Sequence, residues 1–186
     1  MSTPIIVIGV VLLLLVGFVI MTYNQLVKLS QKVKESFATM DVYLKKRFDL
    51  VPNLVETVKG YAKHERETLD KVTQARANIS SAGSIDEKMQ NENILSGCLK
   101  SLFAVAEAYP DLKANTNFID LQNQLKKIEE DIANARKYYN AVVREYNTTL
   151  LVFPKNIIAN MFHFTEKPMY EVDQAAEREA VKVSFE

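Results

Sequence analysis

The chain is poor in the residues on which many catalytic, metal and disulfide sites depend. Its 186 residues include one Cys, two His, five Gly, five Pro and no Trp. A single cysteine, Cys98, excludes an intramolecular disulfide and a zinc site built from cysteines. His64 and His163 lie far apart, without an HExxH motif, a phosphate-binding glycine loop or a nucleophile elbow. We therefore expect no metal, no cofactor and no enzymatic activity.

The chain also lacks an excess of charge of either sign. Lys plus Arg and Asp plus Glu both number 23, so the formal net charge at pH 7 is zero. This balance argues against nucleic acid as a partner, because nucleic-acid binders depend on a positive field. Apolar residues make up 48% of the chain, glycine is scarce and good helix formers dominate. The composition predicts an all-α protein with a single globular domain.

Charge is absent from the first 23 residues, and residues 5–21 form one unbroken apolar run. A helix of this run spans about 25 Å, and Thr22 and Tyr23 extend it toward the ~30 Å of a bilayer core. A cleavable signal peptide would require a basic residue before the run and a small-x-small site after it, and neither is present. Residues 1–23 are therefore predicted to be an uncleaved, single-pass membrane anchor in contact with lipid.

The basic residues that flank this anchor predict its orientation. None precedes the apolar run, whereas Lys28, Lys32 and Lys34 follow it. The positive-inside rule then places the rest of the chain in the cytoplasm and the N-terminus outside the cell membrane. Tyr23 suits the membrane–water boundary.

Two long helices can be read from apolar spacing and from start and stop signals. An apolar residue recurs every seven positions at Phe118, Leu125, Ile132, Tyr139, Tyr146 and Phe153. This stripe predicts a helix over 118–153, packed in a bundle or coiled coil and ended or kinked by Pro154. A second helix is predicted over 85–109, because Ser84 precedes Glu87 at the spacing of a capping box.

Residues 24–79 would form a helix of about 84 Å if they were unbroken. A break near Asp49 gives helices over about 24–49 and 50–79, since Asp49 can cap the second and Pro52 then falls in its first turn. We therefore predict an antiparallel, up-and-down four-helix bundle over 24–165 and a C-terminal tail over 166–186. The alternative is a long kinked first helix with a three-helix bundle, because the apolar spacing continues through the proline.

Two long blocks of the sequence resemble the LemA family. Residues 23–65 resemble its signature, with a basic pair, Asp, Pro-Asn-Leu-Val and Gly-Tyr in order. Residues 136–164 resemble its second block, which has two Tyr-Asn pairs followed by Phe-Pro, and the tail is similar too. His163 and Tyr170 stand where Gly and Phe would be commoner. The resemblance implies one membrane helix followed by an antiparallel four-helix bundle, and it supplies no catalytic activity, cofactor or substrate.

A basic cluster of Lys45, Lys46 and Arg47 is the first candidate interaction site. Arg47 would lie about 39 Å beyond Met21 on an upright helix, whereas screening acts over ~8 Å. The cluster therefore cannot contact the anchoring membrane. It is predicted to be either a solvated helix end or a site for an acidic partner.

Polar and aromatic residues within the predicted helices are the remaining candidates. A polar layer that fixes the helix register is predicted from four residues: Asp49, Asn53, Asn140 and Asn147. Tyr139 and Tyr146, with Tyr138, are predicted to pack in the core or at an interface. Adjacent acidic residues at 129–131 do not share a helix face, so we expect a solvated surface there.

These features favour a scaffold or adaptor that binds an unidentified protein partner or self-associates. The alternative is a membrane-surface effector that senses or shapes lipid through the amphipathic segment 153–164. Acidic residues follow that segment, so we expect it to dock on the bundle or on a neighbouring subunit, with membrane contact secondary.

Overall fold

The structure is a computed structural model of the chain that describes residues 3–171. Within these residues all regular secondary structure is helical, which confirms the predicted all-α class. The helices are α1 (Thr3–Tyr61), α2 (Arg66–Ser81), α3 (Ile85–Ala106), α4 (Pro110–Lys113), α5 (Thr116–Leu151) and α6 (Lys155–Met161). Most of the predicted tail, from residue 172 onward, lies outside the described residues.

The first helix does not break at Asp49, so the predicted division into helices over 24–49 and 50–79 is wrong. α1 runs continuously from Thr3 to Tyr61 with Pro52 inside it, and the chain first leaves the helix at residues 62–65. The long first helix that the sequence left as an alternative is the one observed. Asp49 is therefore not an N-cap; its side chain is exposed and accepts a hydrogen bond from Lys45 at 2.6 Å.

A side chain from α2 explains why α1 tolerates Pro52. Proline has no N–H, so the carbonyl of Phe48, four residues earlier, loses its helical donor. Nε of Arg76 donates to this carbonyl at 3.1 Å, and its guanidinium lies 3.9 Å from the centre of the Phe48 ring. The compensating donor lies 28 residues beyond Phe48, so the residues next to the proline in sequence do not reveal it.

The described chain divides into two compact units. The first unit comprises residues 3–42 and 132–169, and the second comprises residues 43–131 with 170–171. α1 and α5 each contribute one part to both units.

The second unit has its own apolar core. Four long helical segments and the short α4 contribute buried side chains to it: Val51, Leu54 and Val58 of α1, Leu69, Val72, Ala75 and Ile79 of α2, Leu95, Leu99, Leu102 and Ala106 of α3, Leu112 of α4, and Phe118 and Leu125 of α5. The predicted N-terminal cap begins α3, since the Ser84 side chain accepts from the N–H of Glu87 at 3.1 Å. The Glu87 carboxylate accepts from the N–H of Gly83 at 2.8 Å rather than from that of Ser84. The up-and-down order of these helices stays a prediction.

The first unit packs the middle of α1 against the second half of α5. Its buried side chains include Leu26, Val33 and Met40 of α1, and Ile132, Tyr139, Val142 and Tyr146 of α5. The seven-residue stripe is thus buried as far as Tyr146, but Phe153 is 76% exposed and does not belong to the core. The start of α1 is different, because the large apolar side chains at residues 5–16 are exposed throughout.

Candidate functional site

Arg47 is fully buried in the second unit, although the sequence placed it in a surface cluster. Its Nη1 donates to Oε1 of Glu129 at 2.6 Å and also to the hydroxyl of Ser96. Its Nη2 donates to Oε2 of Glu92 at 2.6 Å and to the Glu92 carbonyl at 3.1 Å. One guanidinium therefore joins α1 to α3 and α5. We call Arg47, Glu92 and Glu129 the charged triad.

The members of the charged triad differ in their access to solvent. The side chains of Arg47 and Glu92 are 0% and 1% exposed, whereas that of Glu129 is 39% exposed. Burial by itself lowers the pKa of Arg47, but attraction to Glu129 and then Glu92 outweighs it, so the net pKa is raised. Arg47 is therefore charged at every physiological pH. Its Nε has no hydrogen-bond partner within the described residues.

The predicted basic cluster of residues 45–47 is therefore not a single site. Lys45 and Lys46 are exposed, and their ammonium groups lie 5.7 Å from the Phe48 ring centre and 5.5 Å from the Tyr43 ring centre, respectively. Neither lysine belongs to the charged triad. Sequence held one clue, because Arg47 stands three residues after buried Leu44 and four before buried Val51, on the core face of α1.

Glu92, Glu129 and Ser96 are the residues that sequence reasoning missed. Glu129 was assigned to a solvated acidic surface, and this is wrong because its carboxylate accepts from Arg47. Glu92 follows buried Met89 by three residues and precedes buried Leu95 by three, which places it on the core face of α3. A carboxylate at such a position requires a buried cation as partner.

A cleft of 540 Å³ opens between α3 and α5 beside the charged triad. Its lining includes the apolar side chains Leu99, Phe103 and Leu125, and Glu129 lies at one side of it. Lys100 and Lys126 stand on opposite helices. The cleft thus combines an apolar lining with one lysine on each side. Among residues 3–171 no group of three or more His, Cys, Asp or Glu side chains could hold a metal ion.

In the first unit, α5 holds the chain that follows α6. The Tyr139 hydroxyl donates to the carbonyl of Pro168 at 2.8 Å, and the Tyr146 hydroxyl donates to that of Thr165 at 3.1 Å. The Asn147 amide pairs with the backbone of Lys167 through two hydrogen bonds of 2.9 Å. The predicted packing role of the two tyrosines is observed, and their polar atoms also fasten the segment 165–168.

Two residues of the predicted polar layer, Asp49 and Asn53, are exposed on the second unit, so the prediction is wrong for these two. In the first unit, Asn147 binds the backbone of Lys167 and Asn140 is half-buried on α5. The layer stays a prediction for the two asparagines of α5.

Pro154 marks the corner between α5 and α6 in the first unit. α5 ends at Leu151, and Pro154 stands at the N-cap of α6. Only Ile158 and Ala159 of α6 are buried, whereas Phe153, Ile157 and Met161 are exposed. Docking of segment 153–164 on the rest of the chain is therefore limited to part of the segment, and its expected docking on a neighbouring subunit stays a prediction.

The end of α6 explains an unusual residue in the sequence. His163 has a φ of 56°, the left-handed conformation that favours glycine. The N–H of Phe164 donates to the Ala159 carbonyl and that of His163 to the Asn160 carbonyl, which together form a Schellman motif. A glycine at this position would adopt the same conformation without strain.

These features define an all-α protein with one N-terminal helix that is long and apolar enough to cross a membrane, judged by length and composition within the described residues. The chain belongs to the LemA family, whose model matches residues 36–185. The resemblance read from residues 23–65 and 136–164 is thereby confirmed.

Relatives are found in several bacteria. Protein LemA of Metamycoplasma hominis is 26% identical over 165 residues, which cover 86% of this chain and 72% of the relative. Magnetosome protein MamQ 2 of Paramagnetospirillum magneticum is 23% identical, over 82% of this chain and 68% of the relative. Magnetosome protein MamQ of Magnetospirillum gryphiswaldense is 22% identical, over 83% and 70% respectively.

Proposed function

We propose that this protein is a non-catalytic scaffold or adaptor, anchored in the cell membrane by a single helix and acting through protein–protein contacts or self-association. One observation carries the proposal: the solvent exposure of apolar side chains changes along α1. Its large apolar side chains at residues 5–16 are exposed, whereas Leu26, Met40 and Val51 are buried in the folded units. A core helix of a soluble protein would be buried along its whole apolar face.

An uninterrupted helix joins the exposed apolar run to the rest of the molecule. α1 continues from Thr3 to Tyr61, so the apolar run and the first unit share one uninterrupted helix. Such a connection restrains the height and tilt of the first unit at the membrane, which a flexible linker would not do. Lys28, Lys32 and Lys34 favour a cytoplasmic folded part and an external N-terminus.

The non-catalytic part of the proposal draws on the chemistry of the charged triad. Both terminal nitrogens of Arg47 donate to Glu92, Ser96 and Glu129, and the side chain is fully buried, which makes it a structural group rather than one free to bind substrate. None of the names of the relatives specifies a reaction.

The anchor is tested by washing membranes with alkaline carbonate. The full chain should stay in the pellet, and a variant with Leu13→Lys and Leu14→Lys should be released, because charged residues at the centre of a span oppose insertion. Exchanging two exposed residues of the folded part, Lys126→Glu and Lys137→Glu, is the control and should change nothing. Release of the unaltered chain by the wash would refute the anchor.

The scaffold role is tested by affinity purification from detergent-solubilised membranes. The full chain is the bait, and the cleft between α3 and α5 is the expected contact surface. Lys126→Glu reverses one charge in the lining of this cleft. Lys137→Glu, exposed on the first unit, is the matched control. We expect specific proteins, or further copies of the chain, to be retained by the control and lost from the cleft variant. Failure of the wild-type bait to retain any protein would contradict the proposal.

A further inference from the structure

Large apolar side chains are concentrated on the surface of the corner between α5 and α6. Six of them, exposed by 44% to 76%, lie between residues 151 and 162 and are here called the corner patch: Leu151, Val152, Phe153, Ile157, Met161 and Phe162. Surface apolar residues of soluble proteins are usually scattered, and a concentration of this size marks a contact with lipid or protein. Only Ile158 and Ala159 of α6 are buried within the first unit.

The corner patch lies at the level where the apolar run of α1 ends. Ring centres of Tyr23 and Phe162 are 4.8 Å apart, and those of Tyr23 and Phe164 are 5.8 Å apart. Nζ of Lys155 donates to Oε1 of Gln25 at 2.9 Å. Tyr23 and Gln25 stand about 3 Å and 6 Å beyond Met21 along the helix. The polar boundary of a bilayer is about 5–7 Å thick on each side, so these contacts fall within it.

We propose that the corner patch is a second membrane contact, which enters the headgroup boundary of the bilayer that α1 spans. The inference rests on the proposed anchor. Ile157 and Met161, one turn apart, form the outward face of α6, while Ile158 and Ala159 face the first unit. Lys155 lies beside the patch with an ammonium group that can reach lipid phosphates. An apolar face edged by a cation is the chemistry of a helix that lies in the membrane surface.

A bilayer is favoured over a second protein copy because the exposed surface is continuous with the anchor. Ile20 and Met21, the last residues of the apolar run, are exposed by 54% and 75%. Lipid must cover these two residues when α1 spans the membrane. The patch adjoins them through the contacts of Tyr23, so the same lipid surface reaches it without any further subunit. The corner would then fix the rotation of α1 about its own axis, which a lone helix leaves free.

The absence of tryptophan from the chain provides a direct test. Single tryptophans are introduced into the full chain at Phe153, at Phe18 within the apolar run, and at Tyr138, an exposed aromatic residue of α5. Tyr138 lies about 20 Å before Leu151 along the helix axis. Each variant is reconstituted into vesicles of phosphatidylcholine and phosphatidylglycerol with or without brominated acyl chains. Emission maximum and bromine quenching are measured, and circular dichroism checks that each variant keeps its helix content.

We expect Phe153→Trp to emit at shorter wavelength than Tyr138→Trp and to show at least about half the bromine quenching of Phe18→Trp, because bromine quenches at the depth of the acyl chains. Quenching of Phe153→Trp no greater than that of Tyr138→Trp would overturn the inference. A short-wavelength emission that resists bromine and changes with the protein-to-lipid ratio would identify a second copy as the occupant and would also overturn it. Absence of quenching for Phe18→Trp would refute the anchor itself.

Discussion

Removing one negative charge from the charged triad should destabilise the second unit strongly. Glu92→Gln keeps the size of the side chain and an acceptor oxygen, but it removes the carboxylate that lies 2.6 Å from Nη2 of Arg47. The guanidinium is 0% exposed and cannot recover the lost attraction from water. The remaining carboxylate, Glu129, is 39% exposed, so solvent screens part of its attraction.

The expected loss follows from the cost of a buried charge that lacks a partner. Breaking a buried ion pair by removing one side typically costs about 3–5 kcal/mol. Because Glu129 still compensates Arg47 in part, we expect Glu92→Gln to lower the free energy of unfolding by about 3 kcal/mol. For a chain of this size the melting temperature should fall by about 6–12 °C. Asp49→Asn, which removes the exposed partner of Lys45, should change the free energy by less than about 1 kcal/mol.

A double-mutant cycle separates the pair energy from the loss of either side chain. Arg47→Met alone leaves Glu92 buried without its cation, and Glu92→Leu alone leaves Arg47 without its buried carboxylate. Arg47→Met with Glu92→Leu removes both charges of the pair and keeps apolar volume. The combined variant should lie within about 1–2 kcal/mol of the wild-type protein. Thermal unfolding of the full chain in detergent, followed by circular dichroism, measures all four corners. If Glu92→Gln melted no lower than Asp49→Asn, or if the two substitutions of the cycle were additive, the buried pair would not be the source of the stability.

Two further predictions concern the backbone. Arg76→Ala should lower the free energy of unfolding by about 1–3 kcal/mol, because it leaves the Phe48 carbonyl without a donor. In a chain that also carries Pro52→Ala the loss should be clearly smaller, since the alanine supplies the missing N–H. Equal losses in the two backgrounds, measured by urea unfolding, would contradict the compensation. His163→Gly should raise the free energy of unfolding by about 1 kcal/mol, because glycine adopts the left-handed conformation without strain, and His163→Ala should not. An equal gain for alanine in the same assay would show that the positive φ of residue 163 is not the cause.

Apolar patterning revealed the helices well, and the breaks between them poorly. The heptad stripe predicted α5 to within two residues at each end, and the capping box placed the start of α3 correctly. Both are local signals that involve residues one to two turns apart. The break at Asp49 was wrong because Pro52 is accommodated by Arg76, a donor from another helix. No local pattern reports such a contact.

Candidate residues were harder to assign than helices, for a related physical reason. A charged residue in a helical sequence is ordinarily solvated, and Lys45 and Lys46 follow that rule. Arg47 does not, because Glu92 and Glu129 supply its charge partners from α3 and α5. The core spacing of Arg47 and of Glu92 was visible in the sequence, but their pairing required the helices to be brought together. Phe153 shows the converse, an apolar residue in the stripe that the fold leaves exposed.

The charged triad can fix the register of the helices, a role that the sequence analysis predicted for Asp49, Asn53, Asn140 and Asn147. Apolar burial is non-directional, so side chains such as Leu95 and Leu99 pack almost equally well after a small shift of α3. A guanidinium bonded to Glu92 and Glu129 does not tolerate such a shift, because one buried charge would lose its partner. Our hypothesis is that the triad selects one register of α1, α3 and α5. The variant that carries Arg47→Met and Glu92→Leu should then stay within about 1–2 kcal/mol of the wild-type stability but lose protection of α3 amides against hydrogen exchange. Unchanged protection in that variant would assign the register to the apolar core alone.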